Sequence, residues 1–289
     1  MAKSEMSILV TGGNGFVGRQ LTKVLRLTGA NVVSLTRDDA DLTNSLQVAD
    51  ILSGDSYDVV VHTASHGPWR EEIEPEILET KEVSMTVNLL SQTSSKTRFI
   101  LIGSMAEYGQ SGVLGEGLVC RPNTPYGIAK LKCTETAMYY AKHFDRRVTI
   151  LRLFGVFGNA EPQHRLIPSI VSSANKNEPL LLSDGLQIRD FVHLGHVCRC
   201  ITHILMTNSF NGQIVNIGSG EGISIKELIL SLIDEGLLRR DLPNFGVIPR
   251  RKTDEDVLVA DIARLQTVIK DKPLNVLDYL RHRLSTQGS

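Results

Sequence analysis

The chain has 289 residues, 42% of them hydrophobic, and 31 Lys and Arg stand against 32 Asp and Glu, a formal net charge of −1. That length can bury a sizeable core in one large or two fused domains, and the near-neutral balance argues against general attraction to polyanions, so no nucleic-acid or membrane partner is expected. No charged n-region with an apolar h-region opens the chain and no apolar run could span a bilayer, which leads us to expect a soluble cytoplasmic protein.

Met6-Ser-Ile-Leu-Val-Thr11 is an apolar segment of strand length, and Thr11-Gly-Gly-Asn-Gly-Phe-Val-Gly18 follows it. Val17, Leu21, Val24, Leu25 and Thr28 then recur at helical spacing, and Gly29 supplies a stop. Strand, glycine turn and helix in this order suit a dinucleotide. Glycines at 12, 15 and 18 let the chain turn tightly, let backbone approach a pyrophosphate, and let helix pack on strand. The helix N-terminus offers N–H groups and a positive dipole end to the phosphates. Asn31-Val-Val-Ser-Leu-Thr36 supplies the second strand, which separates this pattern from an ordinary glycine-rich loop. At its end an acid would bond the adenosine ribose 2′-OH, whereas arginine accommodates a 2′-phosphate. Thr36-Arg37 stands there and favours NADP(H), while Asp38 and Asp39 follow at once and leave NAD(H) open.

Further strands are expected over 58–63, 98–103 and 147–153. Ser104 ends the second of these at the edge where open α/β sheets bind ligands. Tyr126 and Lys130, four residues apart, share one face of a helix whose pattern continues through Leu131, Thr134, Ala137, Met138 and Ala141 to Phe144. A phenol at its ordinary pKa is a poor base, but a nearby ammonium and a positive nicotinamide ring would stabilise the phenolate. A serine hydroxyl can bond the same substrate oxygen and orient it. Tyrosine-x-x-x-lysine also arises by chance on helices; the preceding glycine pattern and Ser104 give it catalytic meaning here. Cys120, Cys133, Cys198 and Cys200 lack paired metal spacing, so no metal is expected, and His62 and His193 read as structural.

After Gly158 the alternation loosens, and Pro162, Pro168, Pro179, Pro243 and Pro249 punctuate shorter elements. The expected fold is a doubly wound parallel (Rossmann) α/β sheet with a smaller C-terminal α/β substrate domain. Residues 1–158, with a return segment near 191–218, form the NAD(P)-binding part in this reading. About 159–190 and 220–289 form the smaller substrate part in this reading, with a cleft between the two.

At these residues the chain resembles the extended short-chain dehydrogenase/reductase family, in its nucleotide-sugar epimerase/dehydratase/ketoreductase branch. The resemblance runs nearly end to end. The glycine block resembles the family's cofactor signature, and Val59-Val-Val-His-Thr-Ala64 resembles its fourth strand. Ser104-Met-Ala-Glu-Tyr-Gly109 is similar to the catalytic segment, and Tyr126 with Lys130 to the catalytic pair. Arg152-Leu-Phe-Gly-Val-Phe-Gly158 resembles an Arg-x-Phe-Asn-x-Tyr-Gly block, and Asp184-Gly-Leu-Gln-Ile-Arg-Asp-Phe-Val192 a Gly-Asp-Gly-x-Gln-x-Arg-Asp-Phe block. Arg251-x-x-Asp254 with Ala260-Asp261-Ile262 is similar to a late arginine element.

The resemblance implies that Ser104, Tyr126 and Lys130 are catalytic. It implies a cofactor lined by Gly12, Asn14, Gly15, Phe16, Val17, Thr36, Arg37, Asp41, Leu42, Thr63, Ala64, Tyr126 and Lys130. A nucleoside-diphosphate sugar would meet Ser104, Met105, Tyr126, Arg165, Arg189 and Arg251, the arginines serving a diphosphate by their fork geometry. A homodimer through the Tyr126 helix is also implied.

Departures from the family pattern narrow the reaction. Met105 and Ala106 replace the Asp-Glu pair with which 4,6-dehydratases eliminate water, and neither transfers a proton. Gly155 and Phe157 replace an asparagine and a tyrosine near the expected sugar, and Glu82 aligns with a helix position where asparagine is often found. The leading expectation is NADPH-dependent reduction of a 4-keto-6-deoxy (or dideoxy) nucleotide sugar. An NAD-dependent 4-epimerase is the alternative. A non-catalytic dinucleotide sensor is disfavoured by retention of Ser104, Tyr126 and Lys130.

Overall fold

The computed structural model describes residues 5–54, 56–66 and 74–285. In chain order they form β1 (Ser7–Thr11), α1 (Phe16–Arg26), β2 (Asn31–Leu35), α2 (Ser45–Leu52), β3 (Val59–His62), α3 (Pro75–Gln92) and β4 (Arg98–Ser104). A 3-10 turn at Met105–Glu107 leads to β5 (Gly112–Leu114), α4 (Pro125–His143), β6 (Arg147–Leu153), β7 (Gly155–Phe157), α5 (Leu166–Lys176) and β8 (Leu180–Leu181). Then follow β9 (Ile188–His193), α6 (Leu194–Thr207), β10 (Gln213–Ile217), β11 (Gly222–Ser224), α7 (Ile225–Asp234), β12 (Pro243–Asn244), β13 (Val257–Ala260) and α8 (Val276–Ser285). Among the described residues no helix is long and apolar enough to cross a membrane. The chain divides into two compact units, residues 1–109, 116–153 and 198–216, and residues 110–115, 154–197 and 217–289.

The first unit is built on a six-stranded Rossmann sheet of order β10-β6-β4-β3-β1-β2. From β2 to β6 neighbouring strands run parallel. Ile8–Val10, Val59–Val61 and Phe99–Leu101 are buried, the continuous apolar runs that a strand covered on both faces requires. Leu89, Leu90, Ala137 and Cys133 close the core from α3 and α4. The chain leaves β1 for β2 on one side and then β3 on the other, so a switch point lies at β1. Parallel pairing brings the C-terminal ends of these strands to one edge: Thr11 pairs with His62, His62 with Leu101, and Ser104 with Leu153. Val59–His62 is third in chain order, where the sequence places a strand over 58–63.

The second unit holds a sheet of order β11-β9-β13-β5, with β7 on β9. Its core gathers Phe157, Ile170, Leu228, Leu232 and Leu280. The segment 191–218 does not return to the main sheet as one piece. Residues up to 197 stay with the second unit, because β9 pairs with β7, β11 and β13, whereas β10 joins the main sheet beside β6. Residues 110–115 also belong to the second unit, since β5 pairs with β13.

Candidate active site

The glycine loop is shaped by close approaches. Gly12 has φ of 72°, a left-handed backbone, and a Cβ there would lie 2.7 Å from the Ala64 backbone. A side chain at Gly18 would strike the Gly12 carbonyl and come within 2.6 Å of the Thr63 hydroxyl, so α1 can rest on the strand ends only through glycine. Thr63 fixes that meeting point by donating to the Thr11 carbonyl at 2.6 Å. Helix α1 starts after Gly15 with no side-chain cap and no acid in its first turn. Its leading N–H groups and positive dipole end therefore suit an anion. Asn14 and Gly15 are exposed and Phe16 and Val17 partly so. These features fit a dinucleotide pyrophosphate.

Past β2, Arg37 is exposed. The Asp39 carboxylate turns back onto Thr36, accepting from its N–H at 2.8 Å and its hydroxyl at 2.7 Å, and these bonds lower its pKa. Asp41 accepts from the Thr43 N–H and hydroxyl at 2.9 and 2.8 Å. Leu42, expected at the cofactor, packs its side chain into the core of the first unit.

Ser104 ends β4 and begins a reciprocal cap. Its hydroxyl accepts from the Ala106 N–H at 3.2 Å, while its own N–H donates to Glu107 Oε1 at 2.8 Å. Helix α4 opens with Thr124 accepting from the Gly127 N–H at 3.0 Å and Pro125 in the first turn, which sets Tyr126 one turn before Lys130. Lys130 is buried, with Nζ 5.9 Å from the Tyr126 ring centre and donating to the Ile102 carbonyl at 3.3 Å. Glu82 from α3 lies 3.4 Å from the same ammonium. The other Glu82 oxygen accepts from the His66 N–H at 2.6 Å and lies 3.0 Å from His66 Nδ1.

The charges in this cluster are strongly coupled. Burial alone would raise the Glu82 pKa, but Lys130 and the His66 hydrogen bonds outweigh it and bring it to about 2. Burial works against the Lys130 charge, yet Glu82 and the Tyr126 oxygen lift its pKa above the ordinary lysine value. For Tyr126, burial raises the phenol; Lys130 and Ser104 oppose this, and Glu82 reinforces it. The expected downward pull of Lys130 is present, but with the protein's own groups alone the net shift is upward.

The predicted substrate arginines belong to the second unit. Arg189 on β9 donates to the Ile188 carbonyl at 2.9 Å and approaches Asp254 at 3.5 Å. Arg165 precedes α5 without a side-chain capping bond and pairs with buried Glu161 at 3.3 Å, while Arg251 is exposed. Arg250, which the sequence did not single out, pairs with Asp256 at 2.8 Å and donates to the Asp254 carbonyl at 3.4 Å.

The NAD dependent epimerase/dehydratase family matches residues 8–218. The chain belongs to this family. The GDP-6-deoxy-D-talose 4-dehydrogenase of Aggregatibacter actinomycetemcomitans is 25% identical over 276 residues, 91% of either chain. A putative UDP-glucose 4-epimerase of Methanocaldococcus jannaschii is 29% identical over 246 residues, 76% of this chain and 79% of the relative. The solved structure of MoeE5 with UDP-glucose and NAD is 27% identical, with TM-score 0.85 over 96% of this chain and 97% of that one. Family membership makes the chain a nicotinamide-dinucleotide enzyme of the extended short-chain dehydrogenase/reductase group, acting on a sugar CH–OH or C=O carbon.

Within the family block around Ser104, Glu107 is the one carboxylate in 104–109, and it does not replace the missing acid pair. It is fully buried, accepting from Arg152 Nε at 2.8 Å and the Thr134 hydroxyl at 2.9 Å. Burial raises its pKa despite Arg152. Two family departures change meaning in the structure. A Cβ at Gly155 would lie 2.6 Å from the Asp190 carbonyl, so β7 and β9 approach too closely for asparagine. Phe157 is buried in the second unit's core against Phe191, His193 and Tyr279, so this change supplies packing rather than removing a polar group beside a sugar. Asp190 anchors the neighbouring loop by accepting from Ser219, Gly220 and Ala260 N–H groups at 2.7, 3.0 and 3.1 Å.

His62 and His193 each make a local hydrogen bond. His62 Nδ1 lies 2.8 Å from the Thr11 hydroxyl, and burial lowers its pKa to about 3, while His193 accepts from the Gly195 N–H at 3.2 Å. Cys198 and Cys200 are both buried on α6, and no metal-holding cluster occurs among the described residues. Glu82 carried a signal that charge logic could have used. It falls on the buried stripe of α3 with Leu78, Met85, Thr86 and Leu89, where a carboxylate demands a buried partner.

Proposed function

We propose that this enzyme reduces the 4-keto group of a nucleoside-diphosphate 4-keto-6-deoxy (or dideoxy) sugar at the expense of NADPH. The observation carrying the reading is a Ser104–Tyr126–Lys130 centre in which Met105 and Ala106 offer no proton-transfer group and burial favours a protonated phenol. Relatives support the substrate class. Besides the Aggregatibacter enzyme, the dTDP-6-deoxy-L-talose 4-dehydrogenase (NAD(P)(+)) of Kitasatospora kifunensis is 27% identical over 253 residues.

Bound at the glycine loop, NADPH would supply the two-electron reducing equivalent, a hydride to C4. Tyr126 gives its hydroxyl proton to the oxygen becoming an alkoxide, and solvent reprotonates the phenolate. Ser104 hydrogen-bonds that oxygen and orients it. Lys130 holds the nicotinamide ribose and tunes Tyr126. Arg37, exposed beside an Asp39 already bonded to Thr36, receives the 2′-phosphate. Arg189, Arg251 and Arg165 bind the diphosphate, with Arg189 exchanging its Asp254 contact for a phosphate oxygen. In this reading the first unit holds the cofactor and the second the sugar nucleotide. A homodimer through α4 would cover Ile128 and Tyr139, 37% and 55% exposed, and light scattering on the purified protein would show twice the chain mass.

The test is net NADPH oxidation with 4-keto-6-deoxy sugars on different nucleotides, each product identified by NMR. An NAD-dependent 4-epimerase is the second reading, favoured by the Methanocaldococcus relative. C4 inversion of an intact sugar without net cofactor oxidation would select it and reject the reductase.

A further inference from the structure

Lys130 is in an unusual position for a lysine meant to stabilise a phenolate. Its ammonium faces a carboxylate at 3.4 Å, and both side chains are buried, 5% and 2% exposed. Glu82 cannot swing away, because His66 grips its far oxygen through both the backbone N–H and Nδ1, at 2.6 and 3.0 Å. The near oxygen is thereby aimed at Lys130. Three elements meet in this arrangement: the chain leaving β3, the middle of α3 and the first turns of α4, all within the first unit.

We propose that Glu82, held by His66, is a positioning residue that offsets the Lys130 charge and keeps Tyr126 a proton donor, biasing the centre toward ketone reduction. The inference deepens the reductase reading and rests on it for its direction. An ammonium beside a phenol favours phenolate, the form that withdraws a proton from an alcohol; a carboxylate on that ammonium removes much of the effect. The neutral phenol is the form that protonates an alkoxide. The other titratable groups around the cluster add less. Glu107 from the turn after β4 raises the phenol in the same direction but more weakly, being paired with Arg152 at 2.8 Å, while His62 from β3 is held neutral by burial and burial keeps the Cys133 thiol from α4 protonated. The direction of the Tyr126 shift agrees, with Glu82 adding to burial.

The experiment needs neither substrate nor cofactor. Phenol ionisation is followed by ultraviolet difference titration, with the signal of the matched Tyr126→Phe protein subtracted so that only Tyr126 is read. In Glu82→Gln we expect the midpoint to fall by about one pH unit or more, and Glu82→Asp, which keeps the charge, to stay near the parent. Glu82→Asn serves as a second neutral variant should the glutamine protein fold poorly; circular dichroism selects the one to titrate. His66→Asn, which loosens the grip, should give a smaller fall of the same sign. In turnover the oxidative direction of Glu82→Gln should reach its plateau at lower pH than the parent. An unchanged or raised midpoint in a folded neutral variant overturns the proposal, whatever the enzyme reduces. A lowered midpoint without NADPH oxidation across the sugar panel would instead reject the reductase reading and leave the role of Glu82 standing.

Discussion

Replacing Glu107 by glutamine separates a structural carboxylate from a catalytic one. Glu107 is fully buried, Arg152 is 2% exposed, and they meet at 2.8 Å. At an effective dielectric near 20 that separation gives a gross attraction of about 6 kcal/mol before desolvation. Glutamine keeps an acceptor for the Ser104 N–H but turns an amide donor toward Arg152 Nε and the Thr134 hydroxyl. A buried guanidinium then loses its counter-charge, a loss that costs about 3–5 kcal/mol in pairs of this kind. Arg152→Met should cost a similar amount, with the carboxyl now stranded and the stacking on Tyr108 lost. The double variant should lose less than the sum of the singles by about 1–3 kcal/mol. Equilibrium unfolding in urea, with NADPH oxidation measured on the same preparations, reads both consequences. A shift below about 1 kcal/mol, or abolished turnover with unchanged unfolding, would refute the structural assignment and make Glu107 a proton-transfer candidate.

Arg37→Ala should weaken NADPH binding by about 10- to 100-fold, the worth of a charge-assisted bond, and leave NADH affinity nearly unchanged; equal NADPH affinity in fluorescence titration would remove Arg37 from the cofactor. Arg189→Ala should raise the dissociation constant of the nucleotide sugar by at least about tenfold without altering NADPH binding, and isothermal titration showing intact sugar-nucleotide affinity would contradict that contact. Stability should fall on acidification in two stages. Burial lowers the His62 pKa from 6.5 to about 3, so the unfolded chain binds a proton the folded one refuses and stability drops as pH falls through 6.5. Glu82, lowered from 4.5 to about 2, contributes stability that is present above 4.5 and lost below it. His62→Gln should flatten the pH dependence of unfolding between 6.5 and 4.5 by up to about 1.4 kcal/mol per pH unit; an unaltered slope would show that His62 does not carry it.

The first unit was largely legible because its signals are local. Val59–Val61 and Phe99–Leu101 are apolar runs of strand length, and the glycine loop and the Tyr126–Lys130 spacing each lie within a few residues. What escaped depends on distant partners. β5 is three residues long and becomes a strand by pairing with β13 nearly 150 residues later. The segment 191–218 reads as a single return, but β9 is drawn to β7 and β13, and only β10 reaches the main sheet. Gly155 and Phe157 looked like polar groups lost near a sugar because sequence does not reveal the Asp190 carbonyl or the aromatic cluster that dictate them. The Glu82 grip joins residues on separate elements, and no short motif encodes it. Its traces were the departure from the family's asparagine at Glu82 and a carboxylate on a largely apolar helix stripe.

The central claim is that the Tyr126 hydroxyl delivers the proton when a sugar C4 ketone is reduced. Tyr126→Phe, which removes one oxygen, tests it most directly in single-turnover NADPH oxidation with the preferred 4-keto sugar nucleotide. We predict a rate lower by about 10²- to 10⁴-fold with NADPH affinity retained. Turnover within a few-fold of the parent would contradict the claim and move the proton source to another group.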